Sequence, residues 1–257
     1  MNAESGRNET IDGFLGNRIR LIQPAGGHRA GLDAALLQAL IPENADGHLV
    51  DLGTGTGAVA MAAAARVPAL TATGVDFDAA MLDMANRALA LPANQAISGR
   101  VHFVLADIGS PRPAREAAGL ADNSADWVTM NPPFDVAAHV RASPSELKRQ
   151  AHVGDEHTLA DWIRTASGLL KPAGRLAIIH RADALGAVLA ELRGRFGAIA
   201  IRPVHPREAE PATRILVTAV QGSKGPLSIL HGLVLHRADG SWSDEAQAIL
   251  QDKSDRQ

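Results

Sequence analysis

From about residue 48 onward, short apolar runs alternate with stretches whose apolar positions recur at helical spacing. The apolar runs predict strands at 48–51, 70–76, 100–106, 125–130, 175–180, 198–204 and 214–220. The other stretches predict helices at 58–66, 77–91 (with Asp78 as N-cap), 159–170 and 183–193. Because strands and helices alternate, we predict an α/β, doubly wound sheet of parallel strands with right-handed crossovers.

Two long connections interrupt this alternation, at 107–124 and 135–158. Connections longer than about 12–15 residues are usually functional or disordered. The second one directly follows the proline motif described below, so we predict that it forms a lid that faces the substrate. The tail after Gly225 predicts one more pair of strands, a turn at Asp239-Gly240 and a short helix from about Ser243.

Composition narrows the possible classes of protein. The chain has 257 residues, a net charge of −3 and no cysteine. The missing cysteines exclude a disulfide framework, thiolate metal sites and a cysteine nucleophile. The net charge argues against nucleic-acid binding through total charge but allows a local basic face. The polar start and the lack of a long apolar run suggest neither a signal peptide nor a membrane span, so we expect a cytoplasmic protein.

A glycine-rich loop follows the first predicted strand and opens the first predicted helix. Residues 50–57 read Val-Asp-Leu-Gly-Thr-Gly-Thr-Gly. Glycines allow a sharp turn and a close approach of backbone to ligand, and free amides at a helix start offer donors and a partial positive charge. Asp76 ends the next strand, where a carboxylate can accept from both hydroxyls of a ribose. The loop therefore predicts a nucleoside ligand.

The spacing of this loop also fits a dinucleotide such as NAD, so other residues must identify the ligand. In open parallel sheets ligands bind beyond the carboxyl ends of the strands, where Asp51, Asp76, Asp107 and Asn131 all fall. Asp51 favours S-adenosylmethionine, because its carboxylate can bind the ammonium of the methionine part and would repel a pyrophosphate. Asp107 is placed to accept from the adenine amino group, although a turn or cap role fits it equally well.

The motif Asn131-Pro132-Pro133-Phe134 ends the fourth predicted strand. Successive prolines stop the strand and stiffen the chain, which holds the Asn131 side-chain oxygen and the Pro132 carbonyl in one direction. Together these oxygens can accept both hydrogens of an exocyclic amino group, and Phe134 can stack on a flat acceptor. The motif predicts methyl transfer to a planar nitrogen, with catalysis mostly by alignment and electrostatic preorganisation.

The glycine loop, Gly74-Val75-Asp76 and the Asn131 motif, in this order, resemble class I methyltransferases that modify amino nitrogens. Four further segments resemble bacterial tRNA adenine-N6 methyltransferases, which act beside the anticodon of a valine tRNA. These segments are Asp-Gly-Phe-Leu-Gly at 12–16, Gly-His-Arg-Ala-Gly-Leu-Asp-Ala at 27–34, Ile-His-Arg-Ala-Asp at 179–183 and Glu-Pro-Ala-Thr-Arg at 210–214. The resemblance runs from about Asp12 to the C-terminal helix, and it departs at Phe134, where the best-known members have tyrosine.

The resemblance implies a Rossmann-like methyltransferase fold with a seven-stranded, mostly parallel sheet whose last strand is antiparallel. We expect one methyltransferase domain over 1–257, with an extension over the cofactor and substrate (1–45), a catalytic core (46–222) and a tail (223–257). The resemblance also implies that Gly31 and Asp33 help close the cofactor pocket. The predicted catalytic residues are Asn131, Pro132, Pro133 and Phe134. The predicted cofactor-binding residues are Gly31, Asp33, Asp51, Gly53, Thr54, Gly55, Gly57, Asp76, Phe77, Asp107 and Asn131.

The expected partner is tRNA, bound through basic residues of the 141–149 loop and of the 175–207 region. Between Gly174 and Arg207 six arginines stand against two acidic residues, although a solvated face is the commoner explanation for such a run. Histidines lack metal-ligand spacing, so we expect no metal. A protein glutamine amide or a small molecule remains an alternative acceptor, and a cofactor-binding module without catalysis is disfavoured by the intact Asn131 motif.

Overall fold

The computed structural model describes residues 8–26, 29–133 and 158–251. The strands are β1 (Glu9–Phe14), β2 (Ile19–Pro24), β3 (Gly47–Leu52), β4 (Leu70–Asp76), β5 (Val101–Leu105), β6 (Ala125–Met130), β7 (Leu170–Arg181), β8 (Phe196–Arg207), β9 (Arg214–Gln221), β10 (Ser228–Ile229) and β11 (Leu233–His236). The helices are α1 (Leu32–Gln38), α2 (Ala58–Arg66), α3 (Ala79–Leu89), α4 (Arg112–Ala117), α5 (Leu159–Leu169), α6 (Leu185–Leu192) and α7 (Asp244–Gln251), with 3-10 turns at Pro92–Ile97 and Ala182–Ala184.

The main sheet confirms the predicted α/β architecture. Its order is β10-β8-β9-β7-β6-β3-β4-β5, and β11 also pairs with β8. The seven predicted strands are all present as β3–β9. β9 pairs antiparallel with both of its neighbours, β7 and β8. All other strand pairs of this sheet, within the described residues, are parallel.

The two predicted tail strands are present, but their pairing differs from the prediction. The tail strands β10 and β11 do not pair with each other but follow one another along β8, so that they raise the sheet from seven strands to nine. The physical reason is that β8, with 12 residues, is an edge strand whose free backbone groups need partners. The predicted turn at Asp239-Gly240 and the helix after Ser243 are confirmed, since Gly240 has a φ of 86° and Ser243 Oγ accepts from the Ala246 amide.

The helices that flank the site begin and end for local reasons. α2 consists largely of alanine, so it lies close against the sheet with residues 58–64 buried. Asp78 caps α3 as predicted, accepting from the amides of Ala80 and Met81, although the helix begins only at Ala79. α5 begins with a capping box between Thr158 and Asp161.

Three further boundaries differ from the prediction. The connection at 107–124 contains the short helix α4, which begins after Pro111 because proline suits the start of a helix. β7 already begins at Leu170, and residues 171–174 form an irregularity between two paired stretches of one strand. The predicted helix at 183–193 opens as a 3-10 turn before α6. The predicted lid at 135–158 lies almost entirely outside the described residues.

Apolar side chains pack on both faces of the sheet. One cluster joins the sheet to α1, α2 and α3 and takes in buried residues of β2 such as Leu21, while the other joins the sheet to α5 and α6. The hairpin β1–β2 and α1 belong to the 1–45 segment, and β2 lies against α3. Because both faces are covered, the carboxyl ends of the parallel strands form an edge at which polar groups can gather.

Candidate functional site

The glycine loop turns between β3 and α2 at this edge. Gly53 and Gly57 have φ values of 65° and 82°, a region that other residues enter only with strain. A Cβ at Gly53 would lie 3.0 Å from Trp162 Cζ3 and still closer to Cη2, and a Cβ at Gly57 would lie 2.5 Å from Phe103 Cζ. The Thr54 amide donates to the Val75 carbonyl at 2.9 Å, which ties the loop to β4. Both glycines are therefore required by conformation and by space.

Asp51 lies behind this loop and holds it. The carboxylate accepts from Thr54 Oγ1 at 2.6 Å and from Thr129 Oγ1 at 2.7 Å, and the residue is 2% exposed. Burial raises the pKa of the Asp51 carboxyl to about 6, against the two hydroxyl hydrogen bonds, which lower it. The expected contact between Asp51 and a ligand ammonium stays a prediction. In the structure the carboxylate accepts hydrogen bonds from the two threonines, so the loop would lie between its negative charge and a ligand.

Asp76 ends β4 and joins the glycine loop to the start of α3. Its carboxylate accepts from the Gly55 amide at 2.7 Å and from the Asp78 amide at 3.0 Å. The residue is 8% exposed. Each carboxylate oxygen has two lone pairs, which leaves acceptor capacity for the ribose hydroxyls expected here.

An open cleft of about 320 Å³ lies beyond the carboxyl ends of β4 and β5. It brings together two residues that the sequence predicted separately, Phe77 and Asp107, with Leu105, α4 and Ser110 along its walls. Phe77 and Leu105 are 52% and 57% exposed, so the cleft presents apolar surface suited to a flat ring. Asp107 Oδ1 accepts from the Gly109 amide at 2.8 Å, which is the turn role considered for it.

Asn131 follows β6 at the same edge. Met130, the preceding residue, pairs with Leu52, the last residue of β3, so Asn131 lies beside Gly53 at the start of the loop. Asn131 is partly buried, Pro132 is buried and Pro133 is exposed. Phe134, predicted to stack on the acceptor, lies outside the described residues. The structure therefore brings the first three residues of the motif next to the glycine loop.

Gly31 and Asp33 stand at the start of α1. Asp33 forms an ion pair with Arg214 at 3.2 Å, and this contact joins two of the segments that carry the family resemblance across 181 positions of sequence. Gln23 Oε1 accepts from the Ala30 amide at 2.7 Å and so fixes the chain just before Gly31. The proposed closure of the pocket by these residues stays a prediction.

The arginines of the 175–207 region do not form one face. Arg175 lies over the Trp127 ring, 5.5 Å from its centroid, where the second paired stretch of β7 begins. Arg193 and Arg195 flank the turn into β8, at the edge opposite the glycine loop. Arg181 and Arg207 instead end β7 and β8 beside the site. The 141–149 loop lies outside the described residues.

Sequence reasoning missed residues that act across long separations. Trp162 on α5 packs against Gly53, and Thr129 on β6 binds Asp51. Arg115 on α4 lines the cleft and donates to Asp122. The sequence patterns at these positions are the apolar face of a helix and the alternation of a strand, and neither pattern predicts which residues will be in contact.

Within the described ranges no group of three or more histidine, aspartate or glutamate side chains is placed to hold a metal ion. No described helix has the length and apolar character that crossing a membrane requires.

Known methyltransferases are similar to this chain in sequence. The family model described as the methyltransferase small domain matches residues 29–202. A tRNA1(Val) (adenine(37)-N6)-methyltransferase from Porphyromonas gingivalis is 30% identical over 161 residues, 61% of this chain and 60% of that protein. A release factor glutamine methyltransferase from Salmonella typhimurium is 33% identical over 138 residues, 51% of this chain and 46% of that protein. The chain thus spans less than two thirds of either relative.

Among solved structures, a predicted O-methyltransferase from Agrobacterium tumefaciens is similar to this chain with a TM-score of 0.72. The two are 33% identical, and the match covers 84% of this chain and 94% of the other.

Proposed function

Because the chain belongs to the methyltransferase small domain family, and is thus an S-adenosylmethionine-dependent methyltransferase, we propose that its acceptor is an exocyclic amino nitrogen, N6 of an adenine in tRNA. The observation that carries this proposal is the position of Asn131 and Pro132 at the end of β6, directly beside the glycine loop. A methyl donor on the loop and an amino group held by the motif would meet there.

The residues at the edge fit the proposed cofactor. Nothing lies within 4 Å of the position that a Cβ would take at Gly55, so the backbone there is open to close approach, and Asp76 retains acceptor capacity near the Gly55 amide. The cleft beside Phe77 offers apolar walls for an adenine ring, with Asp107 at its side as a hydrogen-bond acceptor. S-adenosylmethionine supplies an electrophilic methyl group on sulfur and leaves as S-adenosylhomocysteine.

The proposed mechanism depends on alignment. The Asn131 side-chain oxygen and the Pro132 carbonyl accept the two hydrogens of the acceptor amino group. This favours a pyramidal nitrogen whose lone pair points away from the ring and toward the methyl carbon. A nitrogen–carbon bond forms as the sulfur–carbon bond breaks, and the bond pair stays on sulfur. The nitrogen becomes acidic only after the methyl arrives, so its proton can leave to water without a base acting before attack.

A protein glutamine amide is the second candidate acceptor. It is favoured by the similarity to a release factor glutamine methyltransferase, which is of the same order as that to the tRNA enzyme. An amide also presents a planar amino group with two hydrogens, so Asn131 and Pro132 would bind it in the same way. A hydroxyl acceptor has one hydrogen and would leave one of these two oxygens without a donor, which is why we prefer nitrogen.

The acceptor class can be tested with labelled S-adenosylmethionine and with total RNA and total protein from a strain that lacks this protein. We expect label in tRNA and in N6-methyladenine after digestion. Label confined to protein would end the tRNA proposal and support the glutamine alternative.

The role of Asn131 has its own test. Asn131→Ala should still bind the cofactor and lose methyl transfer by at least about two orders of magnitude, as expected for a group acting mainly in the transition state. Thr73→Ser is a matched control, because this residue lies on the neighbouring β4 and away from the edge. Normal methylation by the Asn131 variant would overturn the mechanism.

A further inference from the structure

Trp242 is an unusual residue for a chain so poor in aromatics. The sequence holds three tryptophans, five phenylalanines and no tyrosine. Trp127 and Trp162 are 7% and 5% exposed, whereas Trp242 is 36% exposed. Trp242 belongs to neither of the two apolar clusters. The core therefore does not account for its presence on the surface.

The indole is held rigidly before any ligand binds. Its ring stacks on His236 with 4.2 Å between ring centroids and 27° between planes. The backbones of the two residues also form an antiparallel bridge. The Ser243 amide donates to the Leu235 carbonyl at 2.8 Å, which closes the turn between them. A preorganised ring loses little conformational entropy when a second flat ring stacks on it.

This aromatic ledge (Trp242 on His236) stands at the edge that carries Asn131. His236 ends β11 and pairs with Arg207, the last residue of β8, and both strands run parallel to β6. β11 lies four strand positions from β6, about 19 Å across the sheet. Val204 of β8 pairs with Arg214, the first residue of β9, and β8 continues for three more residues to Arg207. The ledge, which is level with Arg207, therefore projects beyond this edge of the sheet.

Arginines occupy the edge between the acceptor motif and the ledge. Each of the four intervening or adjoining strands places one there: Arg181 (β7), Arg214 (β9), Arg207 (β8) and Arg237 (after β11). Each forms an ion pair at the surface, with Asp183, Asp33, Glu210 and Asp244 respectively. The pairs of Arg181, Arg207 and Arg237 are exposed and contribute only about 0–1 kcal/mol each, and a guanidinium has five donors, so these three arginines can also bind a phosphate. The Arg214 pair is half-buried and adds positive charge to the row.

We propose that the aromatic ledge stacks on an unpaired base of the RNA substrate while the arginine row contacts the phosphates that lead from that base to the methylated adenine. Alternating cations and an exposed aromatic ring are what single-stranded nucleic acid requires. A double helix would offer no free base face to the indole. The inference rests on the proposed RNA substrate, and it adds a second contact four strand positions across the sheet from β6.

The test compares Trp242→Ala, Trp242→Phe and Ile229→Ala for binding of a short single-stranded RNA and of a blunt RNA duplex. Ile229 is 70% exposed on β10, away from the ledge, and controls for loss of exposed apolar surface. Since stacking contributes about 1–3 kcal/mol per base, Trp242→Ala should raise the Kd for the single strand about 5- to 150-fold. The Phe variant should lose much less, and duplex binding and the Kd of S-adenosylmethionine should not change.

A spectroscopic readout separates stacking from a general structural effect. The single strand should quench the exposed indole of the wild type, and Trp242→Phe should lose most of this quenching because Trp127 and Trp162 are buried. Equal single-strand binding by wild type and Trp242→Ala, or no binding by the wild type, overturns the ledge. If the wild type still labels tRNA, only the ledge has failed; if it labels protein alone, the proposed RNA substrate has failed as well.

Discussion

Substitution of Gly53 by alanine tests whether the loop is held by a steric contact with α5. The new methyl group would meet the benzo ring of Trp162, a buried residue 109 positions further along the chain. Alanine would also have to adopt a φ of 65°. Two separate costs are therefore expected, one from the backbone and one from the contact.

The size of each cost follows from the geometry. A left-handed backbone costs a residue with a Cβ about 1–2 kcal/mol. A Cβ only 3.0 Å from Trp162 Cζ3, and nearer still to Cη2, adds about 1–3 kcal/mol of overpacking. Gly53→Ala should thus lower the free energy of unfolding by about 2–5 kcal/mol and weaken cofactor binding.

A double-mutant cycle with Trp162→Phe separates the two costs. Phenylalanine lacks the outer ring that meets the new methyl group. Losing the indole N–H is inexpensive, because the buried Trp162 Nε1 has no hydrogen-bond partner among the described residues. In the Trp162→Phe background, Gly53→Ala should cost about 1–3 kcal/mol less, leaving the backbone part. Unfolding in urea and calorimetric titration with S-adenosylmethionine measure both effects. Additivity within about 0.5 kcal/mol would refute the steric contact.

Three other substitutions have defined outcomes. Because the pKa of Asp51 is raised from 3.8 to about 6 in the folded state, the folded state binds more protons than the unfolded state between these pH values. The free energy of unfolding should therefore fall by about 3 kcal/mol as the pH rises through this window. In urea unfolding, the free energy of unfolding of Asp51→Asn should depend less on pH than that of the wild type. Asp76→Asn should raise the Kd for S-adenosylmethionine at least about tenfold in calorimetry, since an amide accepts from one oxygen only; a Kd within twofold of wild type would contradict a ribose contact. Asp78→Ala should lower the free energy of unfolding by about 1 kcal/mol through loss of the α3 cap, with no change in methyl transfer, and unchanged urea midpoints would contradict the cap.

The parts of the fold that sequence reasoning predicted well are those determined by neighbouring residues. The alanines of α2, the cap at Asp78 and the seven principal strands all follow from local pattern. The prediction paired β10 with β11, whereas both pair with the edge of β8, because the sequence of a strand does not indicate which edge of the sheet is available to it. Helix α4 was missed because it is six residues long and buries none of them, so it has no apolar period to detect.

The candidate site shows the same division between local and long-range information. The glycine loop and Asn131 could be found as motifs because a turn and a strand end have their own chemistry. Their mutual contact depends on the pairing of β3 with β6, which no spacing encodes. The cleft that joins Phe77 to Asp107 likewise depends on α4 as its outer wall.

Asp51 illustrates why position alone does not define a role. From the sequence its carboxylate, next to the glycines, is available to a ligand cation. In the fold Thr54 and Thr129 each donate a hydrogen bond to it, and burial raises its pKa to about 6. Near neutral pH the anion is therefore stabilised mainly by hydroxyl groups that also fix the loop and β6. A cation on the outer side of the loop would add to this stabilisation, so cofactor binding should lower the pKa of Asp51 and release protons near pH 6. Titration calorimetry in buffers of different ionisation enthalpy measures this release, and its absence would separate Asp51 from the charge of the ligand.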